Sequence, residues 1–115
     1  PSFEERRCLI PLTGWAEAEG PKGGKTRTWF ARPDAEIIAV AGLWRSSDEW
    51  GDVYSMIMTD AAGLAAECHD RMPVLLARDD WAHWTDASPK AARELCVPWR
   101  GELTMDRTDE AWTKR

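Results

Sequence analysis

The longest apolar run of the chain, IIAVAGLW at residues 37–44, is the sequence feature that most restricts the fold. Its length suits a β-strand and is far below the ~18 residues that a membrane-spanning helix requires. A run that is apolar at successive positions is typical of a strand with both faces buried. We therefore predict a central buried strand within residues 35–45, in which Gly42 marks a bulge or a close backbone approach.

Shorter apolar runs, separated by turn residues, predict further strands around this one. Pro11 and Gly14 divide RRCLIPLTGWAEAEG into two strands, and the turn sequence PKGG predicts a hairpin that joins residues 14–19 to 26–32. A polar loop is predicted for SSDEWGD. The later predicted strands comprise residues 53–59, 71–77 and 102–108.

Short helices are predicted in the second half of the chain. Residues 60–69 have the composition of a helix, with Asp60 as the candidate N-cap. Residues 88–96 carry a stronger start signal, because Ser88 stands at an N-cap position and Pro89 at the first helical position.

A helix of one to two turns is also predicted for residues 78–86. Its spacing directs Trp81 and Trp84 toward the core and leaves His83 exposed. Strands that come first, followed by small helices, predict an α+β domain over residues 1–115. Its expected architecture is a mixed sheet or partial β-barrel with short helices.

The cysteine content and the charge limit the classes of function. Cys8, Cys68 and Cys96 are widely spaced and form no C-x-x-C pair, and the two histidines show no metal-ligand spacing. We expect a reducing, cytoplasmic setting, no membrane association, no metal and no cofactor. The net charge of −5 is unlike that of a general nucleic-acid binder, although the basic N-terminal third leaves room for a local DNA groove.

Glu17 is the first candidate functional residue. Alternate residues of a strand share a face, so Trp15, Glu17 and Glu19 point the same way. A carboxyl group beside an indole in a partly dry site tends to have a raised pKa, which suits proton transfer near neutral pH. The alternative is a solvated acidic strand face that Trp15 merely covers.

The stretch CHDRMP at residues 68–73 places four polar groups in succession. His69 is expected in a loop, where catalytic groups often lie. Cys68 is either the nucleophile of a Cys-His hydrolase or, as we prefer, a structural cysteine. Arg71 could bind a phosphate or form an ordinary salt bridge with Asp70 or another carboxylate.

Five further tryptophans offer two interpretations. Exposed indoles could stack on nucleic-acid bases, whereas packing in the core is the default for aromatic residues in strands. These residues are Trp29, Trp44, Trp50, Trp99 and Trp112.

Four sequence stretches resemble those of a known family. RRCLIPLTGWAEA is similar to the signature RRCLIPADGFYEW, and HDRMPVLL is similar to HDRMPVIL. Between them IIAVAGLWR is similar to AFAGLWE, and after them DDWAHW is similar to DWDAWL. The order and spacing agree over about residues 5–86. On these motifs the chain resembles the SOS response-associated peptidase (SRAP) family.

This resemblance implies a chemistry and a set of site residues. Members of the family shield abasic sites in single-stranded DNA: an N-terminal cysteine condenses with the sugar aldehyde and closes a thiazolidine ring. They also carry out self-processing as peptidases. The glutamate that assists proton transfer corresponds to Glu17, and the histidine of HDRMP to His69. The expected DNA-binding residues are Arg71 and Thr59.

The chain also departs from the family pattern. It starts at PSFEERRCL, which in the family follows a longer segment that carries the nucleophilic cysteine. Ala18 replaces the tryptophan after the catalytic glutamate, and Met58 stands where the family has the first of two threonines. We therefore expect a partial SRAP domain that is inactive by itself. The abasic DNA, the missing N-terminal segment or a second copy of the chain are its expected partners.

Two alternatives remain open at this stage. The chain could be a non-catalytic SRAP remnant that acts as a binding or dimerisation module, or a thiol hydrolase that uses Cys68 and His69. A further hypothesis concerns Pro1: a free secondary amine at that position could attack an aldehyde to give an iminium ion.

Overall fold

A computed structural model describes residues 2–113 of the 115-residue chain, so the hypothesis about Pro1 lies outside the described residues. The predicted α+β architecture is confirmed: sheets of short strands are combined with a few short helices, and they do not close into a barrel. Over residues 2–113, no helix has both the length and the apolar character needed to span a membrane.

The central sheet is built around the strand that the longest apolar run predicts. This strand, β4, pairs with β1 along one edge, and with β5 and the short strand β8 along the other. All of these pairings are antiparallel. The strand bounds are Arg7–Leu12 for β1, Ile38–Ser47 for β4, Gly51–Met56 for β5 and Leu75–Leu76 for β8. The predicted polar loop is shorter than expected, because β4 and β5 extend into it from both ends.

A second sheet of three strands carries the predicted hairpin. The hairpin strands β2 and β3 pair in register from Trp15 opposite Phe30 to Glu19 opposite Thr26. The last strand of the chain, β9, adds to the free edge of β3. The bounds are Trp15–Glu19 for β2, Thr26–Ala31 for β3 and Thr104–Ala111 for β9; a separate two-stranded ribbon pairs β6 (Met58–Asp60) with β7 (Arg71–Pro73).

The predictions of single strands over 53–59 and 71–77 are wrong in one respect, since each is divided in two. Ala41, Ile57 and Val74 meet at the division and exchange three backbone hydrogen bonds in a ring. The amide of Ala41 donates to Val74, that of Val74 to Ile57 and that of Ile57 to Ala41, each at 2.9 Å. The chain therefore leaves the central sheet at Ile57, forms the ribbon of β6 and β7, and returns to the sheet at Val74.

The predicted N-cap at Asp60 is also wrong. Asp60 is the last residue of β6 and lies opposite Arg71 in the ribbon, so its backbone is extended rather than helical. The helix that follows is a 3₁₀ segment, Gly63–Glu67, with Ala62 as its N-cap and no side-chain cap. The later helices are as expected, with α2 at Trp81–Asp86 and α3 at Pro89–Arg93. A further short helix, α1, spans Ser2–Glu5 at the start of the chain. The hydroxyl of Ser88 caps α3 by accepting a hydrogen bond from the Ala91 amide at 3.2 Å.

The core has two parts, one on each face of β4. The first lies between the two sheets and includes Ile10 and Val40 together with the stacked rings of Trp15 and Phe30. The second lies between the other face of β4 and the helices, with Trp84 completely buried at its centre. Both faces of the first half of β4 are thus buried, as its sequence predicts. The predicted bulge at Gly42 is absent, and the approach there is by a side chain: a Cβ on Gly42 would lie 2.6 Å from the side chain of Ile10.

Arg7 links the helices to the central sheet. It is a buried residue of β1, and its guanidinium donates to the carbonyl oxygens of Trp84 and Phe3 at 2.6 Å and to that of Ala87. These acceptors lie in or next to α1 and α2. A cation beside unpaired helix carbonyls is stabilised by their partial negative charge, which compensates for its removal from water.

Several tryptophans lie on the surface, contrary to the expectation of core packing. The residues concerned are Trp29, Trp44, Trp50 and Trp112. Trp44 and Tyr54 are cross-strand partners on β4 and β5, and Tyr54 keeps 69% of its surface exposed. The strand prediction itself is right, but this part of the central sheet has no second layer against it in residues 2–113.

Candidate active site

Polar side chains gather at one end of the core-facing side of the three-stranded sheet. Glu17 on β2 lies opposite Thr28 on β3, and Thr28 lies opposite Arg107 on β9. Because cross-strand partners share a face, these three side chains form a row across the sheet. The buried pair Trp15 and Phe30 is the adjacent row on the same face. The row therefore stands where the apolar core gives way to polar groups.

Glu17 is partly buried, and its electrostatic environment includes His69. Burial raises the pKa of the Glu17 carboxyl, because it penalises the charged form, and the positive charge of His69 acts in the opposite direction. The fold thus brings two residues that are far apart in sequence within electrostatic range of each other, and both were predicted as candidates. A carboxyl group with a raised pKa beside an imidazole can take up and release protons near neutral pH.

His69 is held at the end of the 3₁₀ segment by its own backbone and by that of Arg71. Its amide donates to the Ala65 carbonyl at 3.0 Å, and its Nδ1 accepts from the Arg71 amide at 3.1 Å. An amide N–H can only donate, so in the tautomer that makes this bond the ring proton lies on Nε2. In the other tautomer, and in the charged ring, Nδ1 can instead donate a hydrogen bond to the Arg71 carbonyl, which lies 3.2 Å away. The ring is exposed, so Nε2 can serve a substrate.

Arg71 and Thr59 lie on the two-stranded ribbon next to His69, on opposite faces of it. Thr59 pairs with the buried Met72, whereas Arg71 pairs with Asp60, and side chains alternate along each strand. The exposed Arg71 guanidinium donates to the carbonyl of Met58 at 3.0 Å, which fixes its direction along the ribbon. Arg71 is therefore presented beside His69, while Thr59 is partly buried on the other side.

Glu19 completes the polar end of the sheet with a dense set of hydrogen bonds. Its carboxylate accepts from the Thr28 hydroxyl at 2.6 Å and from Arg107 Nε and Nη2 at 2.9 and 3.0 Å. These bonds hold the pKa of Glu19 below its usual value, with Arg107 as the largest cause. One carboxylate thus joins all three strands of the sheet, and Glu19 stays charged while the neighbouring Glu17 has a raised pKa.

Cys68 is the thiol nearest to this cluster. Burial is the main reason why its pKa is raised, and the charges of Glu19 and Glu17 act in the same direction. A thiol that reacts as a nucleophile needs the opposite, an environment that stabilises the thiolate. The raised pKa of Cys68 therefore argues against a hydrolase that uses Cys68 and His69, and it is consistent with a structural cysteine.

The roles of Thr28 and Arg107 were missed by reasoning from the sequence. Thr28 is fully buried and Arg107 belongs to the last strand, and neither lies in a recognisable motif. Only the alternation along β2 signalled this region, because it placed Glu19 on the face of Glu17. Among the residues that the structure describes, no group of three or more His, Cys, Asp or Glu side chains is arranged to hold a metal ion.

The fold is similar to solved structures from two bacteria. A protein from Bordetella bronchiseptica matches with a TM-score of 0.80 at 25% identity, over 93% of this chain and 57% of that one. A protein from Bacteroides thetaiotaomicron matches with a TM-score of 0.78 at 21% identity, over 92% and 50%. A phage-related protein from B. bronchiseptica gives 0.71 at 22% identity, over 93% and 55%. The likenesses at 21% and 22% identity bear on the fold alone.

The family follows from the sequence profile of the SOS response associated peptidases (SRAP), which matches residues 1–112. The chain belongs to the SRAP family, as the motif resemblance predicts. A curated relative, the abasic site processing protein of Saccharomyces cerevisiae, is 28% identical over 87 residues, which are 72% of this chain and 23% of the relative. The chain thus spans about a quarter of that relative and about half of each solved structure.

Proposed function

We propose that this chain supplies the acid–base part of an active site that processes abasic sites in single-stranded DNA. The observation that carries the proposal is the position of the partly buried Glu17 at the polar end of the sheet, within electrostatic range of the exposed His69. The abasic site processing relative supports the choice of substrate. In this proposal residues 1–115 are part of a larger SRAP domain that acts in the cytoplasm during the response to DNA damage.

The proposed reaction joins an aminothiol to the ring-opened sugar aldehyde. The amine adds to the aldehyde carbon, and the resulting hydroxyl group leaves as water once it is protonated. The thiol sulfur then adds to the iminium carbon and loses its proton, so that aldehyde and aminothiol give a thiazolidine and one water molecule. The proton transfers are assigned to Glu17 and to Nε2 of His69. The aminothiol is the N-terminal cysteine of the complete domain, outside these 115 residues.

DNA binding in this proposal is assigned to the ribbon beside His69. Arg71 presents an exposed guanidinium there, which suits a phosphodiester. Thr59, on the other face of the ribbon, would contact DNA that passes over its edge. We also assign the self-processing peptidase activity of the complete domain to the same acid–base pair, since amide cleavage needs proton transfers of the same kind.

The test supplies the missing aminothiol as a small molecule. The chain is incubated with cysteine ethyl ester and single-stranded DNA that contains one abasic site, and the hydroxylamine-stable thiazolidine on the DNA is quantified over time. We expect the chain to accelerate its formation over the protein-free reaction, and His69→Gln to remove most of the acceleration. His83→Gln, an exposed histidine of α2, is the matched control. An unchanged rate in the presence of the chain would refute the proposal.

A second candidate function, a binding or dimerisation module, is favoured by the open part of the central sheet. Leu9, Pro11 and Leu12 of β1 and the exposed rings of Trp44 and Tyr54 line an apolar groove. β5 is also an edge strand whose residues are almost all exposed. Uncovered edges and apolar surfaces of this kind tend to pair with other chains.

We predict that the isolated chain associates with itself through this groove. Light scattering at high micromolar concentration should give a mass above that of the monomer, and Tyr54→Lys should return it to the monomer, since the charge would be buried without a partner. Trp50→Lys is the control, because Trp50 lies at the hairpin tip outside the groove. A monomeric wild-type chain under these conditions would contradict the prediction.

A further inference from the structure

We propose that Arg107 is a positioning residue that holds the strand of Glu17 against the segment of His69. The inference rests on the proposed function, in which Glu17 and His69 act together. It assigns a role to a residue of the last strand that the reaction itself does not require, and it follows from the way the guanidinium is placed between two elements of the fold.

The first element that Arg107 holds is β2. Its Nε lies 2.9 Å from Oε1 and 3.2 Å from Oε2 of Glu19, and its Nη2 lies 3.0 Å from Oε2. Such a fork fixes both groups in direction as well as in distance. Glu19 is two residues beyond Glu17 and on the same face of β2, so the fork also fixes the strand at Glu17. The Thr28 hydroxyl supports the carboxylate from the strand between them.

The second element is the 3₁₀ segment that leads to His69. β9 packs against this segment, and the carboxylate of Glu67 stabilises the positive charge of Arg107. Glu67 stands two residues before His69, just as Glu19 stands two residues after Glu17. Arg107 is therefore bonded next to Glu17, and its strand packs against the segment that ends at His69.

A connection of this kind is needed because no strand ladder joins the two elements in the described part of the chain. β2 pairs with β3, whereas the 3₁₀ segment precedes β7, which pairs with β6. Side-chain contacts must set the distance between Glu17 and His69, and a distance error of about 1 Å in an active site can lower a rate 10²-fold. Arg107 acts through Glu19 and through the packing of β9, and is for that reason a positioning residue rather than a catalytic one.

The test measures the coupling between Glu17 and His69 directly, without DNA. The titration of the Glu17 carboxyl carbon is followed by NMR in the wild-type chain and in His69→Gln, in which the midpoint should rise because the imidazolium lowers it. The same pair is then compared in an Arg107→Met background. We expect the shift caused by His69→Gln to fall to less than half of its wild-type size there. A shift of unchanged size would overturn the inference.

Two further variants separate positioning from a general loss of structure. Arg107→Lys keeps the charge and is expected to retain more of the coupling than Arg107→Met. Arg27→Met removes a positive charge from the opposite face of β3, and it should leave the coupling at its wild-type value. Because the readout needs no DNA, a chain that fails to accelerate thiazolidine formation would refute the proposed function and still leave the role of Arg107 to be decided by the titration.

Discussion

Replacing Arg7 by methionine is expected to lower the free energy of unfolding by about 3–5 kcal/mol, because carbonyl groups of the helices lose their donor inside the protein. The guanidinium of Arg7 donates to Trp84, Phe3 and Ala87, and it lies within 5.8 Å of the ring centroids of Phe3 and Trp84. Methionine matches the length of the side chain but supplies no donor. Since small domains have total stabilities of about 5–15 kcal/mol, this variant should be only marginally folded.

Urea denaturation followed by tryptophan fluorescence measures this effect. Arg45→Met is the control, because Arg45 is an exposed residue of β4, and its loss should change the stability by at most about 0.5 kcal/mol. If Arg7→Met were as stable as Arg45→Met, the hydrogen bonds of Arg7 would contribute nothing net, and its role in joining helices to sheet would have to be abandoned.

Replacing Glu17 by glutamine should reduce the acceleration of thiazolidine formation by roughly 10²-fold or more, as is typical when a general acid or base is removed. Glutamine preserves the shape of the side chain and cannot exchange a proton. The rate is measured with cysteine ethyl ester and abasic single-stranded DNA, and Glu102→Gln, an exposed glutamate near β9, serves as the control. A Glu17→Gln variant as fast as this control would exclude Glu17 from the chemistry.

The pH dependence of the same reaction gives the direction of the Glu17 effect. Burial raises the pKa of Glu17, so its protonated form persists to higher pH than that of an exposed glutamate. As a general acid, Glu17 should support a rate that falls as the pH rises through this raised pKa. In His69→Gln the opposing positive charge is gone, so the residual rate should fall at still higher pH. If the rate fell at the same pH in both proteins, Glu17 and His69 would not be coupled.

Much of the fold could be predicted because its signals are local. The apolar run of β4, the turn before β3 and the cap at Ser88 each depend on neighbours in the sequence, and the structure confirms them. The division of two predicted strands at Ile57 and Val74 could not be predicted, because it depends on backbone bonds between residues that are distant in sequence. The extended backbone at Asp60 has the same origin, since pairing with Arg71 outweighs its capping preference.

The candidate site shows the same limit. The motif resemblance assigned Glu17 and His69 to the same chemistry, but local patterns gave no sign of their proximity, since β2 and the 3₁₀ segment belong to different parts of the fold. Arg107 and Thr28 carry no local signal at all, and their importance emerges only from the order of strands in the second sheet.

The ring of backbone bonds at Ala41, Ile57 and Val74 has a consequence for how the site can evolve. These bonds join the two ends of the segment 58–73, which carries Thr59, His69 and Arg71. The central sheet is therefore complete without the middle of this segment. Substitutions at the exposed positions between β6 and β7 can then alter the chemistry proposed for His69 at little cost in stability, whereas Leu64 and Ala65 pack in the core. Selection can thus change the substrate of such a domain through this one segment of the chain, while the central sheet stays the same.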